Sequence, residues 1–246
     1  MKKLLLNAVI ISLLYSTALV ADQWRVGSGE QYKNPSEVMA LVSDGDTVLI
    51  ASGEYSGDVG TWTRNDLVIR GVGGAAHMKS GGRSSQQKAI WVVQGANTTI
   101  ENIEFSECSV PDKNGAGIRQ EGAGLSVRNC FFHDNENGIL AGNNSESIII
   151  IENSEFARNG YGDGQSHNIY INHVRKLIFR FNFSHHARVG HCLKSRAAET
   201  ILYCNYFSDF EDGNSSYLID LPNGGRAILA GRSEERRVGK ECRSRW

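Results

Sequence analysis

Thr99–Phe105 reads TIENIEF, and the same pattern returns down the chain. It is SVRNCFF at Ser126–Phe132, IIENSEF at Ile150–Phe156, LIFRFNF at Leu177–Phe183 and TILYCNYF at Thr200–Phe207. The closing residues Phe105, Phe132, Phe156, Phe183 and Phe207 are 27, 24, 27 and 24 residues apart. Five residues before each stands Ile100, Val127, Ile151, Ile178 or Leu202. Three before stand Asn102, Asn129 and Asn153, then Arg180 and Cys204. A second set of short stretches alternates with these: AIWVV, GIRQE, GILAG, NIYIN, CLKSR and LIDLP, anchored on Ile90, Ile118, Ile139, Ile169, Leu193 and Ile219.

A repeat near 25 residues, carrying more than one short strand and no long amphipathic helix, predicts a stacked solenoid: an all-β parallel β-helix. Successive coils then sit about 4.8 Å apart, so equivalent residues form columns. The Phe and Ile columns fill the interior. The Asn column belongs in a turn, where side-chain amides bond one another and the residue tolerates left-handed backbone. A leucine-rich horseshoe lacks its leucine consensus here, and a β-sandwich has no reason to keep one register through five units. A doubly wound sheet lacks its helices.

The N-terminal part reads as a cap. In YKNPSEVMALVSDGDTVLIASGEY, Asn34 is suited to N-cap, Pro35 to the first position and Glu37 to the third of a short helix over the open end of the first coil. With Gly45–Val48 (GDTV) and Gly53–Tyr55 (G-x-Y) behind it, the layout resembles the right-handed parallel β-helix proteins of the pectin-lyase-like superfamily. The resemblance covers most of residues 25 to 231. It implies the fold, but that scaffold serves lyases, hydrolases, epimerases, adhesins and tailspikes, so activity must be read from a site.

The two ends read differently from the body. Residues 1–21, MKKLLLNAVIISLLYSTALVA, show two lysines, an apolar run and small residues, the plan of a secretory signal peptide. The mature protein is therefore expected to be secreted or periplasmic, with no membrane attachment after cleavage. Residues 232–246, RSEERRVGKECRSRW, are basic and break the repeat texture; they resemble vector-derived read-through, and the native β-helix, residues 22–231 here, is expected to continue further. Leaving out the leader's two lysines and the tail's six basic and three acidic residues, the body holds 18 basic and 24 acidic residues. That balance argues against nucleic acid as a partner. The five cysteines are odd in number and show no metal-ligand spacing, so buried thiols are the expected state.

With the second-strand anchors facing inward, the following residues form an outward column: Trp91, Arg119, Leu140, Tyr170, Lys194 and Asp220. Two residues on, a parallel column reads Val93, Glu121, Gly142, Asn172, Arg196 and Pro222. Lys194 and Arg196 would lie about 6.6 Å apart along one strand. Catalytic candidates are Lys194, Arg196 and Asp220; Tyr170, Asn172, Arg119 and Trp91 are candidates for substrate contact, the aromatics by stacking on sugar rings. The chemistry these residues suit is β-elimination on an acidic polysaccharide. A cation offsets the uronate carboxylate, a base removes the neighbouring proton and an acid serves the leaving oxygen. The resemblance to chondroitinase B and alginate lyase implies a Lys and an Arg in such roles. No cofactor is expected, calcium being the one that the resemblance leaves open; no carboxylate cluster for it stands out. An inverting hydrolase is disfavoured, because these columns supply only Glu121 and Asp220, four coils apart. His167 and His191 share a register position and should stack; with His173, His185 and His186 they form a rival cluster without metal-ligand spacing. Two functions stay open: a polysaccharide lyase, or a non-catalytic β-helix that binds glycan or belongs to the cell surface.

Overall fold

The computed structural model describes residues 21–231 and the backbone of residues 233–235. The predicted leader, apart from Ala21, and the tail beyond residue 235 lie outside the described residues. Short parallel strands stack into a β-helix with three faces. The first face runs through Val68–Lys79, Thr98–Glu101, Leu125–Arg128, Asn144–Glu152, Val174–Arg180, Glu199–Tyr203 and Arg226–Ala230. The second also starts on Val68–Lys79, which spans both, and continues through Ile103–Ser106, Phe131–His133, Glu155–Ala157, Phe183–His185, Tyr206–Ser208 and Ser233–Glu235. The third holds Gly60–Trp62, Ala89–Val93, Ala116–Gln120, Asn137–Ala141, Ile169–Ile171, His191–Ser195 and Tyr217–Asp220. At the N-terminal end, Pro35–Glu37 makes a single 3-10 turn, and the Glu37 carboxylate accepts the Asn34 backbone N–H at 3.0 Å. Val38, Met39 and Val42 behind it join the core.

The interior is built from the predicted columns. Phe105, Phe132 and Phe156 are in register and fully buried, with rings stacked at 5.0 and 4.9 Å and nearly parallel. Such stacked pairs contribute about 0.5–1.5 kcal/mol each beyond the burial of their area. Asn102, Asn129 and Asn153 open the one- or two-residue turn between the first and second faces in left-handed backbone, φ 57°, 52° and 49°. The Asn129 amide donates to the Asn102 side-chain oxygen at 3.0 Å.

The fourth repeat departs from the expected register by one residue. Phe156 pairs with Ser184, not Phe183, and Ile151 pairs with Phe179, not Ile178. Phe181, with φ 59°, takes the turn position expected for Arg180. The reason is a buried ladder one step past the turn. Ser154 N–H donates to Asn182 Oδ1 at 2.9 Å, and Asn182 N–H donates to Asn205 Oδ1 at 2.9 Å. Aligning Phe183 with Phe156 would move Asn182 out of that ladder and leave buried backbone donors unpaired, at about 1–3 kcal/mol each. The Phe179 ring, between Phe156 and Phe207 at 6.0 and 5.9 Å, fills the space that Ser184 leaves. Arg180 points outward instead and pairs with Glu152, extending a ladder in which Arg70 meets Glu101 at 2.6 Å and Arg128 bridges Glu101 and Glu152 at 3.2 and 3.0 Å.

The same one-residue slip occurs at the start of the third face. Trp91, not Ile90, pairs with Ile118. Trp91 is fully buried, edge-on to Trp62 and Phe105 at 5.5 and 5.0 Å. Its assignment as an outward sugar-stacking residue is therefore corrected: a ring of that size stabilises the core most where it can pack on other rings, and Val92 takes the outer position. Cys108, Cys130 and Cys192 are buried free thiols. Burial pushes the first two up to about 12 and Cys192 to about 11.

Candidate functional site

On the third face the pairings Arg119–Leu140–Tyr170–Lys194–Asp220 follow the sequence register. Strand alternation directs these side chains outward, away from the stacked core. The C-terminal half of this column gathers the chemistry. Lys194 Nζ lies 5.5 Å from the centre of the Tyr170 ring and 3.7 Å from Asp220 Oδ2. Arg196 Nε donates to the Tyr170 hydroxyl oxygen at 3.1 Å, and its Nη1 donates to Asn223 Oδ1. Asn223 Nδ2 is 3.0 Å from His173 Nε2. Lys194 and Arg196 thus flank one phenol ring, each with a different second partner.

Of the histidines that the sequence presents as a rival cluster, His167, His173 and His191 join this site, while His185 and His186 pair with each other elsewhere. His191 Nε2 is 3.3 Å from the same Asp220 oxygen that faces Lys194. The His167 and His191 rings stack at 4.6 Å, and His167 meets Tyr170 edge-on at 5.5 Å. His167 Nδ1 accepts the His191 backbone N–H at 3.0 Å, so its proton resides on Nε2. Burial first, then the charges of His191 and Lys194, push the His167 pKa down to about 3. Burial also lowers His191; Asp220 opposes this and Lys194 reinforces it. Both rings are therefore neutral at neutral pH, and Lys194 and Asp220 lie beside them. Gly190 allows this stack: a Cβ there would lie 1.8 Å from Ser166 O.

Not every candidate converges here. Arg119 stands three coil steps from Lys194, about 14 Å away, and faces Glu121 at 3.8 Å. Glu121 in turn is held by Lys88 at 2.6 Å. Asn172 is half-buried, and its Oδ1 accepts the His173 N–H at 3.0 Å. Asn223 was missed in the sequence; it sits in the loop that follows the last strand of the third face, where that face's register does not extend. Its signal is the turn sequence Pro222-Asn-Gly-Gly225, which projects a polar side chain beside a coil edge.

A family model described as a right-handed β-helix region matches residues 65–207. The chain belongs to that family. The fold expected from the repeats is thereby established, together with its handedness. Among solved structures, the chain is similar to a pectin methylesterase from Erwinia chrysanthemi, at 10% identity and a TM-score of 0.47, over 88% of this chain and 91% of that one. It is also similar to a pectin methylesterase from Aspergillus niger, at 13% identity and a TM-score of 0.39, over 91% and 88% of the two chains. For the pectate lyase Pel9A the values are 12% and 0.39, over 88% and 77%. No curated protein matches the sequence.

Proposed function

We propose that this β-helix acts on an acidic polysaccharide by β-elimination at the Tyr170–Lys194–Arg196–Asp220 cluster, after export from the cell. The observation that carries the reading is the pair of cations on either side of the Tyr170 ring, on a body whose charge balance is otherwise acidic. A sugar ring stacked near Tyr170 would set its carboxylate against Arg196, whose charge stabilises the carbanion-like transition state. Lys194, as the neutral amine, takes the proton beside the carboxylate. The C–H electrons form the new double bond as the glycosidic C–O bond breaks. Tyr170 supplies the proton for the leaving oxygen: its oxygen already accepts from Arg196, so its hydrogen is left to donate. Asp220, near both Lys194 and His191, orients the amine and accepts a hydrogen bond from it during the proton transfer. Arg119 and Asn172, further along the face, suit neighbouring sugar units.

The test is incubation of the protein with a panel of uronic-acid polymers while following the ultraviolet absorbance of an unsaturated product. Lys194→Ala should abolish turnover with the fold intact, since it removes the base from a half-buried surface strand. Arg196→Ala should raise KM and lower kcat together, because its charge serves ground and transition states alike. Full activity in Lys194→Ala would remove the catalytic reading. Binding of a polymer without any product, unchanged by Lys194→Ala, would support the non-catalytic glycan-binding alternative instead.

A further inference from the structure

Away from this cluster, three metal-ligating side chains converge on the second face. His77 is on Val68–Lys79, Glu104 on Ile103–Ser106 and His133 on Phe131–His133, three neighbouring strands of three successive coils. Glu104 Oε1 is 2.9 Å from His133 Nε2 and 3.5 Å from His77 Nε2, and the three ligand atoms all lie within 4.8 Å of one another. We propose that His77, Glu104 and His133 bind one divalent cation of the zinc class and that the ion clasps three coils of the solenoid.

The geometry fits that ion. Tetrahedral zinc with bonds near 2.0–2.2 Å holds its ligand atoms about 3.3–3.5 Å apart, so only small side-chain adjustments are required. Two imidazoles and one carboxylate form a mixed nitrogen and oxygen set, which favours zinc over the all-oxygen shells of calcium and magnesium. The outer partners also match. His133 Nδ1 is 2.8 Å from Asp134 Oδ2, which directs its Nε2 lone pair toward Glu104. Asp134 is itself held by Arg158 at 3.2 Å and Arg188 at 2.5 Å. His77 Nδ1 faces Glu54 at 4.0 Å. The His133 ring is stacked on Phe131 at 4.4 Å, which fixes its orientation.

His133 therefore has a carboxylate at each ring nitrogen. A metal ion between Nε2 and Glu104 would take one ligand atom from each, with Asp134 holding the other ring nitrogen. Ser106 Oγ, 2.7 Å from His77 Nε2, gives way when a metal takes that nitrogen, or becomes the fourth ligand. The three side chains are 16–28% exposed, open enough for an ion to enter. A metal here links residues 77 and 133 across two coil boundaries, as a disulfide would link distant segments.

The test uses the full chain without a polyhistidine tag, stripped with chelator and titrated calorimetrically with zinc alone. Cobalt in place of zinc reports tetrahedral nitrogen and oxygen ligation by its visible absorption. One equivalent should bind, and the thermal midpoint should rise with zinc. Glu104→Gln and His133→Gln should each weaken binding by about 100-fold or more and abolish the midpoint rise, with circular dichroism unchanged. Asp134→Asn, an outer partner, should weaken it about 10–100-fold. His186→Gln, in a separate histidine pair, should bind as the parent does. Absence of zinc binding by the folded parent, or binding unchanged in both Glu104→Gln and His133→Gln, would overturn the site and leave His133 as a ring held between two carboxylates.

Discussion

His167 makes the fold sensitive to acid, and its contribution can be worked out. Its ring is 1% exposed, and its Nδ1 accepts the His191 backbone N–H at 3.0 Å. Protonating Nδ1 would set two donors against each other in a buried site beside Lys194. The folded-state pKa is accordingly down at about 3, against an ordinary 6.5. A histidine whose folded pKa is depressed stabilises the fold fully above its unfolded pKa, and that stability drains as pH falls toward the folded pKa. The window is thus about pH 6.5 down to about pH 3. At about pH 5 the unfolded chain gains about 2 kcal/mol from protonating this one residue. His191 and His185, also lowered chiefly by burial, act in the same direction. The informative quantity is therefore the difference between the parent and His167→Gln. Urea denaturation of each at about pH 7.5 and about pH 5 should show the parent losing about 2 kcal/mol more than the variant. An equal acid-induced loss in both proteins, or an NMR titration placing His167 near 6.5, would refute the reasoning.

Three further outcomes are expected. Asp220→Asn removes the carboxylate 3.7 Å from Lys194 Nζ that orients the amine; kcat should fall with KM little changed, whereas complete loss of activity would make Asp220 a proton carrier itself. Phe132→Ala, which takes a ring from between two stacked neighbours, should cost about 3–5 kcal/mol in chemical denaturation. Phe183→Ala, on the outer side of its strand, should cost less than half as much; equal costs would contradict the observed register. Cys108, Cys130 and Cys192, with burial raising their thiols to between about 11 and about 12, should resist alkylation at neutral pH in the native protein and react in urea, as read by peptide mapping.

The sequence by itself determined the solenoid, its coil length, the phenylalanine stack from Phe105 to Phe156 and the left-handed asparagine turn. A repeat states the same local solution several times, so each copy constrains the others. It also aligned Tyr170, Lys194 and Asp220, because alternation along a strand and stacking between coils are both strict. It failed where those rules compete. Phe179, Phe181 and Phe183 alternate at period two, so hydrophobicity fits more than one phase; the buried Ser154–Asn182–Asn205 hydrogen bonds chose between them. Trp91 and Ile90 are adjacent apolar residues, and only the space beside Trp62 and Phe105 decided which turned inward. The meeting of His191 with Asp220, and of His77 with Glu104 and His133, was beyond reach of pattern. These contacts join side chains 27 to 56 residues apart across coils, and they depend on side-chain reach and on where each coil lengthens, which only the packed chain fixes.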